Sequence, residues 1–173
     1  MLLKIVGSVL IVVCGGGLGM YYGAAYELRK GELEQLKRAL MLMYSETEFG
    51  HTHLAPMCEK ALEVCDSVIG NIFNDFSIAL TERTTESIAE MWKDCVEQNM
   101  IHTHLAAEDA DVIANLGSNL GAVDINRQLT AIKCLITYID LKCEELANIS
   151  SKNMRLYKST GVLLGAFAVI LLF

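Results

Sequence analysis

An all-α chain, an antiparallel helical bundle with a transmembrane helix at either end, is the architecture this 173-residue sequence predicts. Three observations lead there. Apolar residues make up 53% of the chain and concentrate at its two termini, where they raise the mean hydropathy to +0.36. Between the termini, leucine, isoleucine and methionine recur at three- and four-residue steps, and no stretch alternates apolar with polar residues as a half-buried strand would. Pro56 is the only proline, and glycines are rare between Gly31 and Gly161, so little interrupts helix formation.

The first element follows from the run Ile5 to Tyr26, which carries no charge. At about 1.5 Å per residue a helix of that length crosses a hydrocarbon core of roughly 30 Å. A cleaved signal peptide competes with this reading, because Gly23 and Ala25 offer small residues, but the apolar run exceeds the usual signal core. Residues 159–173 are again uncharged and, with the turn before them, span a bilayer. Arg29, Lys30, Lys37 and Arg38 follow the first span and Lys152, Arg155 and Lys158 precede the second, whereas only Lys4 lies beyond them. The positive-inside bias therefore divides the chain into an N-terminal transmembrane helix (1–26), a cytoplasmic helical domain (27–158) and a C-terminal transmembrane helix (159–173). A reducing cytosol would keep Cys58, Cys65, Cys95, Cys134 and Cys143 as thiols.

Within the middle, Leu33, Leu36, Leu40 and Met43 mark a helix running to about Phe49, where Gly50 stops it. A second helix starts near Pro56, a residue suited to a first turn, and carries Ala61, Leu62, Cys65 and Ile69. Shorter helices are expected over Ile72 to Leu80, over Thr85 to Glu97 with Ile88, Met91, Trp92 and Cys95 on one face, and over Ala106 to Leu116. The last begins at Asp124, and its stripe of Ile125, Leu129, Ile132, Leu135, Ile136, Ile139 and Leu146 continues into the second span.

Two motifs ask for a chemical reading. The pentapeptide HTHLA occurs at His51–Ala55 and His102–Ala106 and holds all four histidines. Two His-x-His pairs suggest a metal-responsive membrane regulator using His51, His53, His102 and His104, yet no Cys-x-x-Cys, His-Glu-x-x-His or carboxylate box stands nearby to complete a zinc site. The competing reading, in which Thr52 and Thr103 cap two helices, requires no ligand and is preferred. The second motif is LGSNLGAVD. It lacks the lysine and hydroxyl of a phosphate-binding loop and follows no strand, so it reads as a helix-to-helix turn. Gly117 is expected to close the preceding helix in the left-handed conformation, and Asp124 to cap the next. Leu116, Gly117, Leu120, Gly121, Asp124 and Gln128 are the candidate turn or partner-binding residues.

In the spans, Gly15, Gly19 and Gly23 recur every four residues, and Gly161 and Gly165 repeat the interval. Small residues so spaced let helix backbones approach closely in lipid. Whether the spans pair within one chain or between chains is open at this level, so self-association stands beside intramolecular pairing. The formal charge of −7 and the lack of a basic, aromatic-laced stripe exclude a nucleic-acid partner. No catalytic constellation and no cofactor motif appears.

Several segments together resemble the stage III sporulation protein AB family nearly end to end. They are LLKIVGSVLIV, ELEQLKRAL with SETEFG, the single Trp92, LAAEDADVIANLGSNLGAVDINRQL, and the closing NMRLYKSTGVLLGAFAVILLF. The most specific is the pattern of Leu116, Gly117, Leu120, Gly121, Asp124 and Gln128. The first HTHLA departs from the family, with His53 where a proline is expected. The resemblance implies a non-enzymatic membrane component of a secretion-like channel between mother cell and forespore, placed in the mother-cell membrane that faces the forespore. It also implies a cytoplasmic domain similar to that of the inner-membrane platform protein of type II secretion and type IV pilus machines. The partners it implies are the lipid bilayer, other membrane proteins of the channel and a cytoplasmic secretion-type ATPase.

Overall fold

The computed structural model describes residues 25–50, 53–82, 87–120 and 124–172, with side chains as far as Ser150. Among these residues every regular element is helical. Helix α1 covers 25–45 and widens into a π-helical turn, Glu46–Gly50. It is followed by α2 (Leu54–Glu63), α3 (Ser67–Thr81), α4 (Ile88–Met100), α5 (Ala107–Asn115), a 3-10 turn (Leu116–Asn119) and α6 (Ile125–Leu172). The chain divides into two compact units, one of them Arg29–Cys143. The described part of the other is the helical backbone of 25–28 and of 144–172.

The Arg29–Cys143 unit owes its core to the periodic stripes. Leu33, Leu36, Leu40 and Met43 of α1 are fully buried, as are Ile69, Ile72, Phe73 and Phe76 of α3, Trp92 and Val96 of α4, Ile113 of α5 and Ile132 and Ile139 of α6. Each such side chain removed from water stabilises the fold by about 1.5–3 kcal/mol before entropy is counted. Consecutive elements are spatial neighbours: α2 packs on α3, α3 on α4, and α4 on both α5 and the 3-10 turn. All five described cysteines are free.

Four local readings need refining. First, the helix runs to Phe49 as expected, but its last turn is π-helical and not α-helical. The Thr47 hydroxyl donates to the Met43 carbonyl at 2.8 Å and drains the backbone ladder there, and the helix opens into the wider π turn. Second, Cys65 and Ile69 do not share a helix with Ala61 and Leu62. The side chain of Gln35 on α1 grips Asp66, donating to Oδ2 at 2.6 Å and accepting from the Asp66 amide at 2.9 Å. That grip ends α2 at Glu63, and α3 begins at Ser67, ahead of the expected Ile72. Third, α4 starts at Ile88 because Ser87 and Glu90 form a reciprocal capping box. Fourth, Thr103 caps nothing: its hydroxyl donates back to the Met100 carbonyl at the end of α4, and the Ala106 amide is met by the Asp109 carboxylate.

Residues 1–24 of the expected first span lie outside the described residues, as do the side chains of the second. Over the remainder, no helix is long and apolar enough to cross a membrane.

Candidate functional site

The turn that carries the most specific motif is built around Trp92. Its indole Nε1 donates to the Ile113 carbonyl at 2.8 Å, joining the Leu116 amide on that acceptor at the end of α5. Phe76 meets the same ring edge-on at 5.0 Å and Phe73 at 5.8 Å, so the indole is held on several sides. Gly117 then lies against it. A methyl group at Gly117 would stand 2.8 Å from Trp92 Cδ1, 3.0 Å from its Cβ and 3.1 Å from the Ala89 carbonyl oxygen. The left-handed conformation expected of Gly117 is not what it adopts. It sits inside the 3-10 turn, and glycine is required there by the close approach of Trp92 and not by backbone sign.

The other predicted turn residues separate into buried and exposed groups. Leu116, Leu120 and Gln128 are buried, while Asp124 is exposed and caps α6 through Oδ1, which accepts from the Asn126 amide at 3.0 Å. Gly121 lies outside the described residues. The surface a partner would meet is therefore formed by neighbours of the motif: Ser118, Asp124, Ile125 and Arg127, the last donating to Asn119 Oδ1.

A second cluster escaped the sequence reading, which saw Arg29 only as part of a flanking basic group. Asp109, in the first turn of α5, is fully buried and accepts three hydrogen bonds. Arg29 Nε of α1 and the Ala106 amide reach Oδ2 at 2.8 and 2.9 Å, and the Tyr138 hydroxyl of α6 reaches Oδ1 at 2.8 Å. Burial alone would raise its pKa. The donors from Arg29, Ala106 and Tyr138 outweigh burial and hold the carboxyl below the usual carboxylate range. Burial, then the bond to Asp109, pushes the Tyr138 hydroxyl up, and the bond to Asp109 keeps Arg29 protonated more firmly than usual. Glu108 beside it accepts from Arg29 at 2.9 Å and Lys142 at 3.0 Å on one oxygen, and these two donors hold it below its ordinary range. The only advance signal was the acidic doublet Glu108–Asp109 at a helix start, where carboxylates are favoured.

The histidines do not converge. His53 and His102 are exposed, and the His104 ring spends Nδ1 on Glu32 at 2.8 Å while its amide donates to the other Glu32 oxygen at 2.7 Å. His51 lies outside the described residues. Among the described residues no group of three His, Cys, Asp or Glu side chains is placed to hold a metal. The thiols are poor nucleophiles: burial pushes Cys58 up to about 12 and Cys65 and Cys95 up to about 11, so each is protonated at neutral pH. Gly15, Gly19 and Gly23 fall outside the described residues, while Gly161 and Gly165 lie one turn apart in the backbone of α6.

Comparison with known proteins agrees over nearly the whole chain. The family model described as stage III sporulation protein AB matches residues 4–173. Stage III sporulation protein AB of Bacillus subtilis (strain 168) is 26% identical over 171 residues, covering 99% of each chain. A solved structure of a stage III sporulation protein AB has the same fold, with a TM-score of 0.66 at 21% identity over 72% of this chain and 97% of that one.

Proposed function

Because this chain belongs to the stage III sporulation protein AB family, and so serves sporulation, we propose that it is a non-enzymatic membrane platform component of the secretion-like channel between mother cell and forespore. Its spans pack into the membrane assembly through Gly15, Gly19, Gly23, Gly161 and Gly165, and its helical unit faces the mother-cell cytoplasm, where it meets a secretion-type ATPase. The observation that carries this reading is the extent of the family match. It takes in both uncharged ends as well as the helical unit, so anchors and bundle belong to one design. The non-enzymatic part is supported by how the polar side chains are used. Asp109, Glu32 and the indole of Trp92 hold helices together, and the buried thiols stay protonated.

The test uses the full chain tagged at its carboxyl terminus in sporulating cells of its own host. The protein is expected only in the mother cell, co-purifying with the ATPase, with exposed Cys134 modified from the cytoplasmic side and the tag from the other. Modification of Cys134 and the tag from one face would defeat the topology, and abundance in vegetative cells the channel role. Replacing Gly19 or Gly165 with leucine is expected to abolish assembly while Trp92 fluorescence stays native; normal assembly in both variants would remove the packing part.

A further inference from the structure

Helix α5 is attached to its neighbours by two different kinds of force. Toward α4 it is held by the buried Trp92, whose indole donates to the Ile113 carbonyl and packs against Gly117 of the following turn. Toward α1 and α6 it is held by charge, and each of two consecutive carboxylates bridges both helices. Asp109 takes Arg29 of α1 on Oδ2 and Tyr138 of α6 on Oδ1, each at 2.8 Å. Glu108 takes Arg29 and Lys142 on a single oxygen at 2.9 and 3.0 Å. Just before this turn, Glu32 of α1 receives both the amide and the ring of His104, so the loop leading into α5 is tied to the same helix. Arg29 is the first residue of the compact unit and Lys142 the last but one, so the bridges stand where α1 and α6 leave it.

We propose that the first turn of α5, through Asp109 and Glu108, is a brace that sets the spacing of α1 and α6 at the margin of the helical unit, so that drawing α5 away loosens the two helices there. The physical ground is the difference in burial. The direct ion pair between α1 and α6, Lys37 with Asp140, joins a half-buried ammonium to an exposed carboxylate and is open to screening. Asp109 has no exposure, and all three of its donors are fixed by helices or by the α5 cap. Removing its charge takes the buried anion from Arg29 Nε and leaves the guanidinium paired with Glu108, whose side chain is exposed, so the tie between α1 and α5 passes to a solvent-screened contact. The brace does not depend on the channel reading, since it lies wholly within Arg29–Cys143.

The experiment is amide hydrogen exchange on the full chain in detergent micelles, comparing the parent with Asp109→Asn, Tyr138→Phe and Lys37→Ala. Asp109→Asn is expected to speed exchange by about tenfold or more in residues 29–35 and 136–143 as well as in 101–110, with α3 unchanged. Lys37→Ala leaves both helix segments at the parent rate. Tyr138→Phe cuts the α6 arm while keeping the Arg29 arm, so 136–143 speeds up more than 29–35, and this variant decides the matter if Asp109→Asn does not fold. Acceleration that stays within 101–115, no change in Tyr138→Phe, or equal loosening in Lys37→Ala would each overturn the brace.

Discussion

Three glycine-to-alanine substitutions test whether Trp92 dictates Gly117, because the same added methyl group meets Trp92 only there and different surroundings at Gly31 and Gly70. At Gly117 it would stand 2.8 Å from Trp92 Cδ1, with the Trp92 Cβ and the Ala89 carbonyl oxygen close behind at 3.0 and 3.1 Å. None of these atoms yields easily, since the indole is held by its bond to Ile113 and by two phenylalanine rings, and the others belong to the α4 backbone and its root. Overpacking of this kind costs about 1–3 kcal/mol, and pulling Trp92 off the Ile113 carbonyl adds about 1 kcal/mol. Against this, alanine lowers the entropy of the unfolded chain by about 0.4–1 kcal/mol. The net expectation is a loss of about 1–3 kcal/mol.

Gly31 has nothing within 4 Å of an added Cβ and lies inside α1, so Gly31→Ala is expected to stabilise by about 0.5–1 kcal/mol. Gly70 shows an equally short contact of 2.8 Å, but to the terminal Cδ1 of Leu62, which is 36% exposed and free to swing outward. Its cost falls below that of Gly117→Ala. Urea unfolding read by Trp92 fluorescence separates the three, with the Gly117 midpoint falling by about 1 M for a slope of about 1–3 kcal/mol per molar. A Gly117→Ala midpoint at or above that of the parent would refute the argument that Trp92 dictates this glycine.

Other outcomes follow from the same geometry. The folded-state pKa of Asp109 is depressed, so the stability it contributes is complete above the ordinary carboxyl value near 3.9 and is lost as pH falls from there through the lowered folded value. Acid unfolding of the parent is therefore expected to be steeper below about pH 4 than that of Asp109→Asn, and equal slopes would contradict it. Trp92→Phe removes the donor to Ile113 and is expected to cost about 1–3 kcal/mol in thermal unfolding followed by circular dichroism. Maleimide at neutral pH should modify exposed Cys134 rapidly while Cys58, buried with its thiol pushed up to about 12, reacts only as the chain unfolds.

Much of the helical unit was legible from periodicity, because the rule that buries one face of a helix is local. Leu33, Leu36, Leu40 and Met43 fall at helical intervals and all are buried, and Trp92 stands out as the single bulky aromatic on the α4 face. The grip of Gln35 on Asp66 was not legible, since the two residues are far apart along the chain and either one alone is an ordinary polar residue. The same holds for the motif at 116–128. Its glycine was noticed for a conformational reason, whereas the operative one is the arrival of Trp92 from another helix.

By itself the sequence determined the helical character of the chain, its buried stripes, its uncharged ends and its family resemblance, all properties that depend on residue type and spacing. Only the tertiary structure decided which carboxylates matter. Asp109 and Glu108 look like any acidic helix start until α1 and α6 bring Arg29, Tyr138 and Lys142 to them. A charge is costly or valuable according to how far water is excluded from it and which donors replace that water, and both are set by distant segments of the chain.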